Sequence, residues 1–174
     1  MPATATETHE KVSAPIFNKV LQIAVVVKNC DEAVRRYADG YGIGPWSTYE
    51  FNPDTVSDMI IRGKHVDYAM RLALCDIGGV QWELIEPKDD KSIYAEFLKE
   101  HGEGLHHIAF GVEDYDKTMK FFTAKGKNVF QGGTWEGLTY TYLDSREDLG
   151  VIAEIYKIVP EFKWPEPVGV YPPK

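Results

Sequence analysis

Hydrophobic and polar residues follow the same order twice along this chain. The segment "QIAVVVKNCDEAV" (22–34) aligns with "HIAFGVEDYDKTM" (107–119) when the sequence is shifted against itself. Each copy has an apolar strand, a short turn in which Asn29 or Asp114 can cap a helix, and then a helix with apolar residues at helical spacing. A repeat of this length predicts two copies of one supersecondary unit that pack against each other.

Strand-like segments with turn signals follow each predicted helix. They cover residues 45–51, 66–75 and 80–87 in the first half and 128–133, 138–144 and 151–158 in the second. We therefore predict an α+β fold, in which two βαβββ modules form a curled mixed sheet around a metal site, with the helices outside. The predicted units are a flexible N-terminal arm (1–16), a first module (17–87), a connecting helix (88–104), a second module (105–158) and a proline-rich tail (159–174). The aromatic residues of the tail suggest that it packs over the body or over a second subunit.

Composition and charge narrow the class of function. The 174 residues include 27 acidic and 19 basic side chains, which gives a net charge of −8. No basic patch could follow a phosphate backbone, so we expect no nucleic-acid partner. No apolar run is long enough for a membrane span, and the first residues do not resemble a signal peptide, so we expect a cytoplasmic protein without a membrane partner. Cys30 and Cys75 are expected to be reduced, partly buried thiols.

Polar side chains interrupt the apolar strands at related positions. Gln22 and His107 share one position of the repeat, and Glu83 and Glu154 share another in the last strand of each module. Taken singly, such a residue is more often a hydrogen-bonded structural group, but two buried carboxylates repel each other unless a cation meets them. We therefore predict one divalent transition metal, Zn, Ni, Co or Mn, bound by Gln22, Glu83, His107 and Glu154. Because neighbouring strand residues face opposite sides, we expect His107 to face the metal and His106 to point away.

These modules and ligand positions resemble the vicinal oxygen chelate superfamily, which includes glyoxalase I, methylmalonyl-CoA epimerase, extradiol dioxygenases and bleomycin-resistance proteins. The run "EFLKEHGEGLHHIAFGV" together with "ELIEP" is similar to methylmalonyl-CoA epimerases, whereas a Gln, Glu, His, Glu ligand set is similar to that of eukaryotic glyoxalase I. The resemblance implies a metal-dependent isomerase, epimerase or lyase that moves a proton next to a metal-chelated carbonyl of a small oxo or acyl substrate. A glyoxalase I-like lactoylglutathione lyase and a non-catalytic, bleomycin-resistance-like binding protein are the alternatives. We also expect a homodimer.

Proton transfer next to a carbonyl needs a base within reach of the substrate. In the glyoxalase-like reaction, Glu154 is the expected base and Glu83 serves on the other face of the substrate. Asp67 is the candidate base in an epimerase-like reaction.

Further residues are candidates for substrate binding. Arg71 is a cation within an apolar strand, and it is expected either to bind a substrate carboxylate or phosphate or to lie on the outer face of the sheet. The aromatic side chains of Trp46, Tyr68 and Tyr140 are expected to line the pocket, with plain core packing as the alternative.

Overall fold

The computed structural model describes residues 14–173, which form a single curled sheet of eleven strands with four helices. The strands are β1 (Lys19–Val26), β2 (Trp46–Phe51), β3 (Val56–Ile61), β4 (Lys64–His65), β5 (Met70–Ile77), β6 (Val80–Pro87), β7 (Gly104–Gly111), β8 (Val129–Trp135), β9 (Leu138–Leu143), β10 (Ile152–Ile158) and β11 (Gly169–Tyr171). The helices are α1 (Cys30–Tyr41), α2 (Ile93–His101), α3 (Tyr115–Ala124) and α4 (Arg146–Leu149). The order across the sheet is β11-β2-β5-β6-β1-β7-β10-β9-β8-β3-β4, which confirms the predicted α+β class. Residues 1–13 of the predicted N-terminal arm lie outside the described residues.

The two modules meet along β1 and β7, which pair antiparallel within one chain. β6 runs parallel to β1, and β10 runs parallel to β7, so equivalent strands of the two modules occupy the four central places of the sheet. A second subunit is therefore not needed to complete the sheet between the modules. The homodimer stays a prediction, and sedimentation should give about twice the mass of one chain.

The sequence pattern does not predict β3 and β4. β3 leaves the first module and pairs antiparallel with β8, at the far side of the second module. Its ladder with β8 shifts register between Ser57 and Ile60, and a shift of this kind breaks the alternation of polar and apolar residues that identifies a strand. The hydrophobic pattern of this segment therefore gives no clear strand signal.

Helices α1 and α3 begin as the repeat predicts. Asn29 accepts a hydrogen bond from the backbone N–H of Glu32 at the start of α1, and Asp114 accepts one from Lys117 at the start of α3. Residues of α1 pack in a separate core with alternate residues of β5 and β6, on the outer face of the sheet. The described helices are all too short or too polar to span a bilayer.

Helix α2 departs from the prediction that the helices lie outside the sheet. Its residues Ile93, Tyr94 and Phe97 are buried in the main core, which fills the concave side. The hydroxyl of Tyr94 donates to the hydroxyl of Tyr142 on β9 at 2.7 Å. The apolar face of this helix therefore closes one part of the concave side.

The C-terminal strap (residues 159–173) crosses from the second module to the first. After β10, Phe162 and Trp164 pack against Trp135 with ring centroids 6.4 and 5.8 Å apart. The strap then forms β11, which pairs antiparallel with β2. The predicted packing of the tail over the body of its own chain is therefore confirmed.

A bidentate ion pair joins α2 to the turn after β3. Both terminal nitrogens of Arg62 donate to the carboxylate of Glu96, at 2.9 and 2.6 Å, and the guanidinium lies over the ring of Phe130. The hydrogen bond from Arg62 lowers the pKa of Glu96. The ionised pair therefore stabilises the fold above the unfolded-state pKa, and this stabilisation is lost as the pH falls through the lower folded-state pKa.

We expect Glu96→Gln to lower the free energy of unfolding at neutral pH by less than about 1 kcal/mol, because both side chains are partly exposed. The unfolding temperature should fall accordingly. The difference from the wild type should disappear at an acidic pH below the lowered pKa of Glu96, where its carboxyl group is protonated. Thermal unfolding followed by circular dichroism at both pH values measures this. Glu113→Gln, at an exposed position without an ion pair among the described residues, is the control. An equal loss at both pH values would contradict the electrostatic origin of the effect.

Candidate functional site

Buried polar side chains from the four central strands meet at one point. Gln22 on β1, Glu83 on β6, His107 on β7 and Glu154 on β10 are each at most 5% exposed. Nε2 of His107 lies 3.3 Å from Oε2 of Glu83 and 3.1 Å from Oε2 of Glu154. The structure thus brings together the residues that the sequence predicts as metal ligands.

Strand register explains why these side chains converge. Ala24 pairs with Glu83 on one side and with His107 on the other, so both flank the same point of β1. Ala109 on β7 pairs in the same way with Gln22 and Glu154. The small alanine side chains leave room between the larger polar ones.

The amide of Gln22 has two orientations with opposite consequences. With Oε1 facing the cluster, this oxygen lies 3.2 Å from Oε2 of Glu83, 3.3 Å from Oε2 of Glu154 and 2.7 Å from the hydroxyl oxygen of Tyr156. Three oxygens at these separations repel one another unless a cation or a proton lies among them. After a rotation that exchanges O and N, the amide nitrogen donates to both carboxylates instead. The same side chain can therefore satisfy the cluster alone or offer an oxygen to a cation.

The donor chemistry fits a divalent cation, although the donor atoms contact one another. In the part of the chain that the structure describes, no three histidine, cysteine or carboxylate side chains are arranged as a ready metal cage. Nε2 of His107 is nevertheless buried without a well-aligned hydrogen bond, despite its closeness to both carboxylates. Ligand atoms about 2.1 Å from one cation lie about 3.0–3.4 Å apart, which is the spacing of these donors. Small movements of the side chains would be enough to admit an ion.

Burial and charge act in opposite directions on the protonation of the cluster. Burial raises the pKa of Glu83, and the nearby His107 offsets part of this effect. Burial lowers the pKa of His107, but the neighbouring carboxylates of Glu154 and Glu83 outweigh this effect and raise the pKa to about 9. In the absence of a cation, a proton held by His107 therefore reduces the repulsion between the two carboxylates.

His106 lies beside His107, and the prediction that it points away is wrong. Ala24 pairs with His107, but the next residue of β1, Val25, pairs with Leu105. His106 is therefore the extra residue of a β-bulge, which interrupts the alternation on which the prediction relied. Its side chain is completely buried, and its Nδ1 lies 2.9 Å from Nδ1 of His107.

This contact fixes how the two rings share their protons. Burial lowers the pKa of His106 well below its usual value, so this ring is neutral. One of the facing nitrogens must donate, and His107 can do so from Nδ1 whether it is protonated or binds a cation through Nε2. His106 is thus the acceptor that orients His107, a role that sequence reasoning missed because the bulge leaves no clear mark in the hydrophobic pattern.

We expect His106→Leu to weaken the binding of a divalent cation by about 10- to 100-fold, the range typical for a partner of a metal ligand. His106→Asn should retain more of the affinity, because its side-chain oxygen can accept the same hydrogen bond. Calorimetric titration of chelator-treated protein with Zn²⁺ measures both variants. Equal losses in the two variants would assign His106 a purely steric role.

An apolar cavity of about 210 Å³ lies above the carboxylates. Its polar floor contains Gln22, Gln81, Glu83, Glu154 and Tyr156. Its walls are apolar and aromatic, and they include Phe51, Met70, Leu72, Leu74, Trp135 and Leu138. Tyr140 lines the cavity as the sequence predicts, and its hydroxyl lies 2.8 Å from that of Tyr68, which is buried behind it.

The structure does not bring Arg71 or Trp46 to this cavity. Arg71 alternates with Met70 and Leu72, so it lies on the outer face, where it pairs with Glu50 and with Asp31 at 2.9 Å. This is the alternative position that the sequence left open for Arg71. Trp46 is buried in the core beneath α1, which is the packing role that the sequence also allowed.

Asp67 is also remote from the cluster. Its side chain is 53% exposed and lies 3.5 Å from Nε2 of the still more exposed His65, in the segment before β5. A carboxylate at this position does not reach the floor of the cavity, so Asp67 does not have the position of a catalytic base.

Comparisons with known proteins agree with this architecture. Residues 21–142 match the family model described as the glyoxalase/bleomycin resistance protein/dioxygenase superfamily. A 4-hydroxyphenylpyruvate dioxygenase from Legionella pneumophila (strain Corby) is 36% identical over 77 residues, which cover 44% of this chain and 22% of that protein. The match therefore spans only about a fifth of that relative.

Solved structures of methylmalonyl-CoA epimerases have the same fold. A variant from Streptomyces coelicolor in complex with 2-nitronate-propionyl-CoA has a TM-score of 0.63 and 25% identity, over 85% of this chain and 99% of that chain. The epimerase from Mycobacterium tuberculosis has a TM-score of 0.61 and 20% identity, over 87% of this chain and 95% of that chain. A further epimerase, in complex with methylmalonyl-CoA and NH4+, has a TM-score of 0.59 and 25% identity, over 83% of this chain and 96% of that chain.

Proposed function

Because the chain belongs to the glyoxalase/bleomycin resistance protein/dioxygenase superfamily, we propose that it is a divalent-metal-dependent isomerase, epimerase or lyase. Its reaction moves a proton on the carbon next to a chelated carbonyl of a small oxo or acyl substrate. One observation carries this proposal. The side chains of Gln22, Glu83, His107 and Glu154 converge from four neighbouring strands, and all of them except the fully buried His107 line the floor of an apolar cavity.

The ligands would be Oε1 of Gln22, Nε2 of His107 and the carboxylates of Glu83 and Glu154. When bound, a divalent cation polarises the substrate carbonyl and offsets the negative charge that develops on its oxygen. Mixed nitrogen and oxygen donors suit Zn, Ni, Co or Mn. One imidazole with two carboxylates and an amide differs from the two-histidine, one-carboxylate set of oxygen-activating non-haem iron, and this favours proton transfer over a dioxygenase reaction.

Glu154 is the proposed catalytic base. Its contacts with Tyr156, at 2.9 Å, and with His107 both involve Oε2, so these two residues hold one carboxylate oxygen while the side chain lines the cavity. Glu83 also lines the cavity, and burial raises its pKa, which makes it a stronger base than an exposed carboxylate. Either carboxylate can therefore accept a proton from a substrate in the cavity.

Exchange of substrate protons with solvent tests this proposal. Metal-loaded protein is incubated in deuterium oxide with a panel of oxo acids, hydroxy ketones and acyl-CoA thioesters, and proton NMR follows the carbon next to each carbonyl. We expect at least one class to acquire deuterium at that carbon, and we expect a chelator to stop the exchange. Oxygen uptake coupled to cleavage of a substrate would contradict the proposal in favour of a dioxygenase. Tight binding without exchange in every class would favour a binding protein.

A further inference from the structure

The C-terminal strap is fixed at both ends and carries a cavity residue between them. Near its start, the backbone N–H of Val159 donates to the carbonyl of Gly137 at 3.1 Å. At its end, β11 pairs with β2, and the hydroxyl of Tyr171 donates to the carboxylate of Asp39 at 2.9 Å. Between these anchors, Trp164 lines the cavity and is half exposed. The strap therefore forms part of the cavity wall.

Aromatic contacts seat Trp164 on both modules. Its ring lies 5.8 Å from that of Trp135 on β8 and 6.0 Å from that of Tyr49 on β2, and Phe162 packs against it at 5.4 Å. Rings at these distances attract each other beyond the burial of their area. A ligand above the carboxylates would thus meet an aromatic surface.

The cavity offers no positively charged side chain to a negatively charged ligand. Among the described residues that line it there is no lysine, arginine or histidine, whereas Glu83 and Glu154 are at its floor. Arg71, which lies between the lining residues Met70 and Leu72, pairs with Glu50 and Asp31 on the outer face. A divalent cation would only balance the two carboxylates. An additional carboxylate or phosphate on a ligand would therefore lie in this cavity without a compensating charge.

Size limits the ligand as well. For comparison, an apolar cavity of about 150 Å³ holds a benzene molecule, and this cavity has a volume of about 210 Å³. This is enough for a benzene ring or a branched alkyl group next to a pair of oxygens. It is too small to enclose a nucleotide.

From the strap, the lining and the volume, we propose that the site selects an uncharged α-hydroxy ketone that carries an aryl or branched alkyl group, with Trp164 as the contact for that group. This inference rests on the proposed function for its chemistry and deepens it by naming the substrate class. The two adjacent oxygens face the polar floor, and the apolar group faces Trp135 and Trp164.

The reaction of such a ligand needs no further reactant. A carboxylate of the floor takes the proton from the carbinol carbon, and the electron pair of that C–H bond forms the carbon–carbon double bond of an enediolate while the carbonyl oxygen gains the charge. Return of the proton to the same carbon completes racemisation. Return to the former carbonyl carbon completes isomerisation, and the hydroxyl proton then passes to the former carbonyl oxygen. Atoms and electrons balance within the ligand, and in deuterium oxide the returning particle is a deuteron.

Matched probes test the substrate class by binding alone. The para-nitro and para-carboxy derivatives of phenacyl alcohol have the same shape, but only the second carries a charge. Calorimetric titration of wild-type protein, with and without Zn²⁺, should show at least about tenfold tighter binding of the nitro derivative. Equal or tighter binding of the carboxy derivative, or of propionyl-CoA, would overturn the inference.

Variants of the strap locate the contact. Trp164→Ala should weaken the binding of the nitro derivative about tenfold. Substitution of the adjacent, exposed lysine, Lys163→Ala, should leave this affinity unchanged. Trp164→Arg should strengthen the binding of the carboxy derivative about tenfold, because it supplies a cation for the carboxylate. Unchanged binding in both Trp164 variants would remove Trp164 from the site.

Exchange of deuterium into the bound probe separates this inference from the proposed function. Selective binding of the nitro derivative supports the substrate class, whether or not exchange follows. If that bound probe does not exchange its carbinol protons with metal present, the proposed function fails for it while the binding inference stands. If a charged ligand binds and exchanges instead, the proposed function stands and the substrate class is wrong.

Discussion

Glu154→Gln is expected to lower the rate of substrate deuterium exchange by about 10²- to 10⁴-fold, the contribution typical of a positioned general base. An amide has nearly the same shape as the carboxylate and can still offer an oxygen to a cation, but it cannot accept the substrate proton. The hydrogen bond from Tyr156 to this position can also persist. The variant should therefore retain much of its metal while it loses the reaction.

Proton NMR of the exchange and calorimetric titration with Zn²⁺ measure the two properties separately. Glu83→Gln is the matched comparison, because Glu83 contacts the same nitrogen of His107 at the same floor. If Glu154→Gln lowers the exchange rate by less than about tenfold while Glu83→Gln lowers it strongly, Glu83 and not Glu154 is the base.

His107→Ala is expected to reduce affinity for a divalent transition metal by more than about 100-fold, beyond the effect of losing an outer partner of a ligand. It removes the imidazole that lies within 3.1 and 3.3 Å of the two carboxylates. The carboxylates then face each other in a buried site without their positive neighbour, so the metal-free variant should also unfold at a lower temperature.

The control for this prediction is His101→Ala, which removes a half-exposed imidazole from the end of α2. Its metal affinity should equal that of the wild type. Retention of full affinity in His107→Ala would show that the cation binds elsewhere.

The internal repeat made most of the fold and the polar cluster predictable. Equivalent positions of the repeat became equivalent positions of the sheet, because β1 and β7 pair with each other and each pairs with the last strand of its own module. Gln22, Glu83, His107 and Glu154 meet for this reason, although a one-residue error in register would have turned them to the opposite face.

Features that depend on broken periodicity or on distant packing were not predictable. The bulge at His106 and the irregular ladder of β3 both interrupt alternation, and the pattern offers no substitute signal. Arg71 and Trp46 have side chains suited to a pocket, but their face depends on register that residue type does not reveal. Tertiary packing also draws α2 into the concave side, where Tyr94 meets Tyr142.

Anomalous diffraction from crystals soaked in Co²⁺ or Zn²⁺ tests the central claim most directly, since it locates the ion without reference to activity. We predict one strong peak per chain, about 2.0–2.2 Å from Oε1 of Gln22, Nε2 of His107 and one oxygen each of Glu83 and Glu154. The amide of Gln22 should then have its oxygen, and not its nitrogen, toward the carboxylates. A peak at other residues, or none at this cluster at saturating metal, would contradict the proposed metal centre.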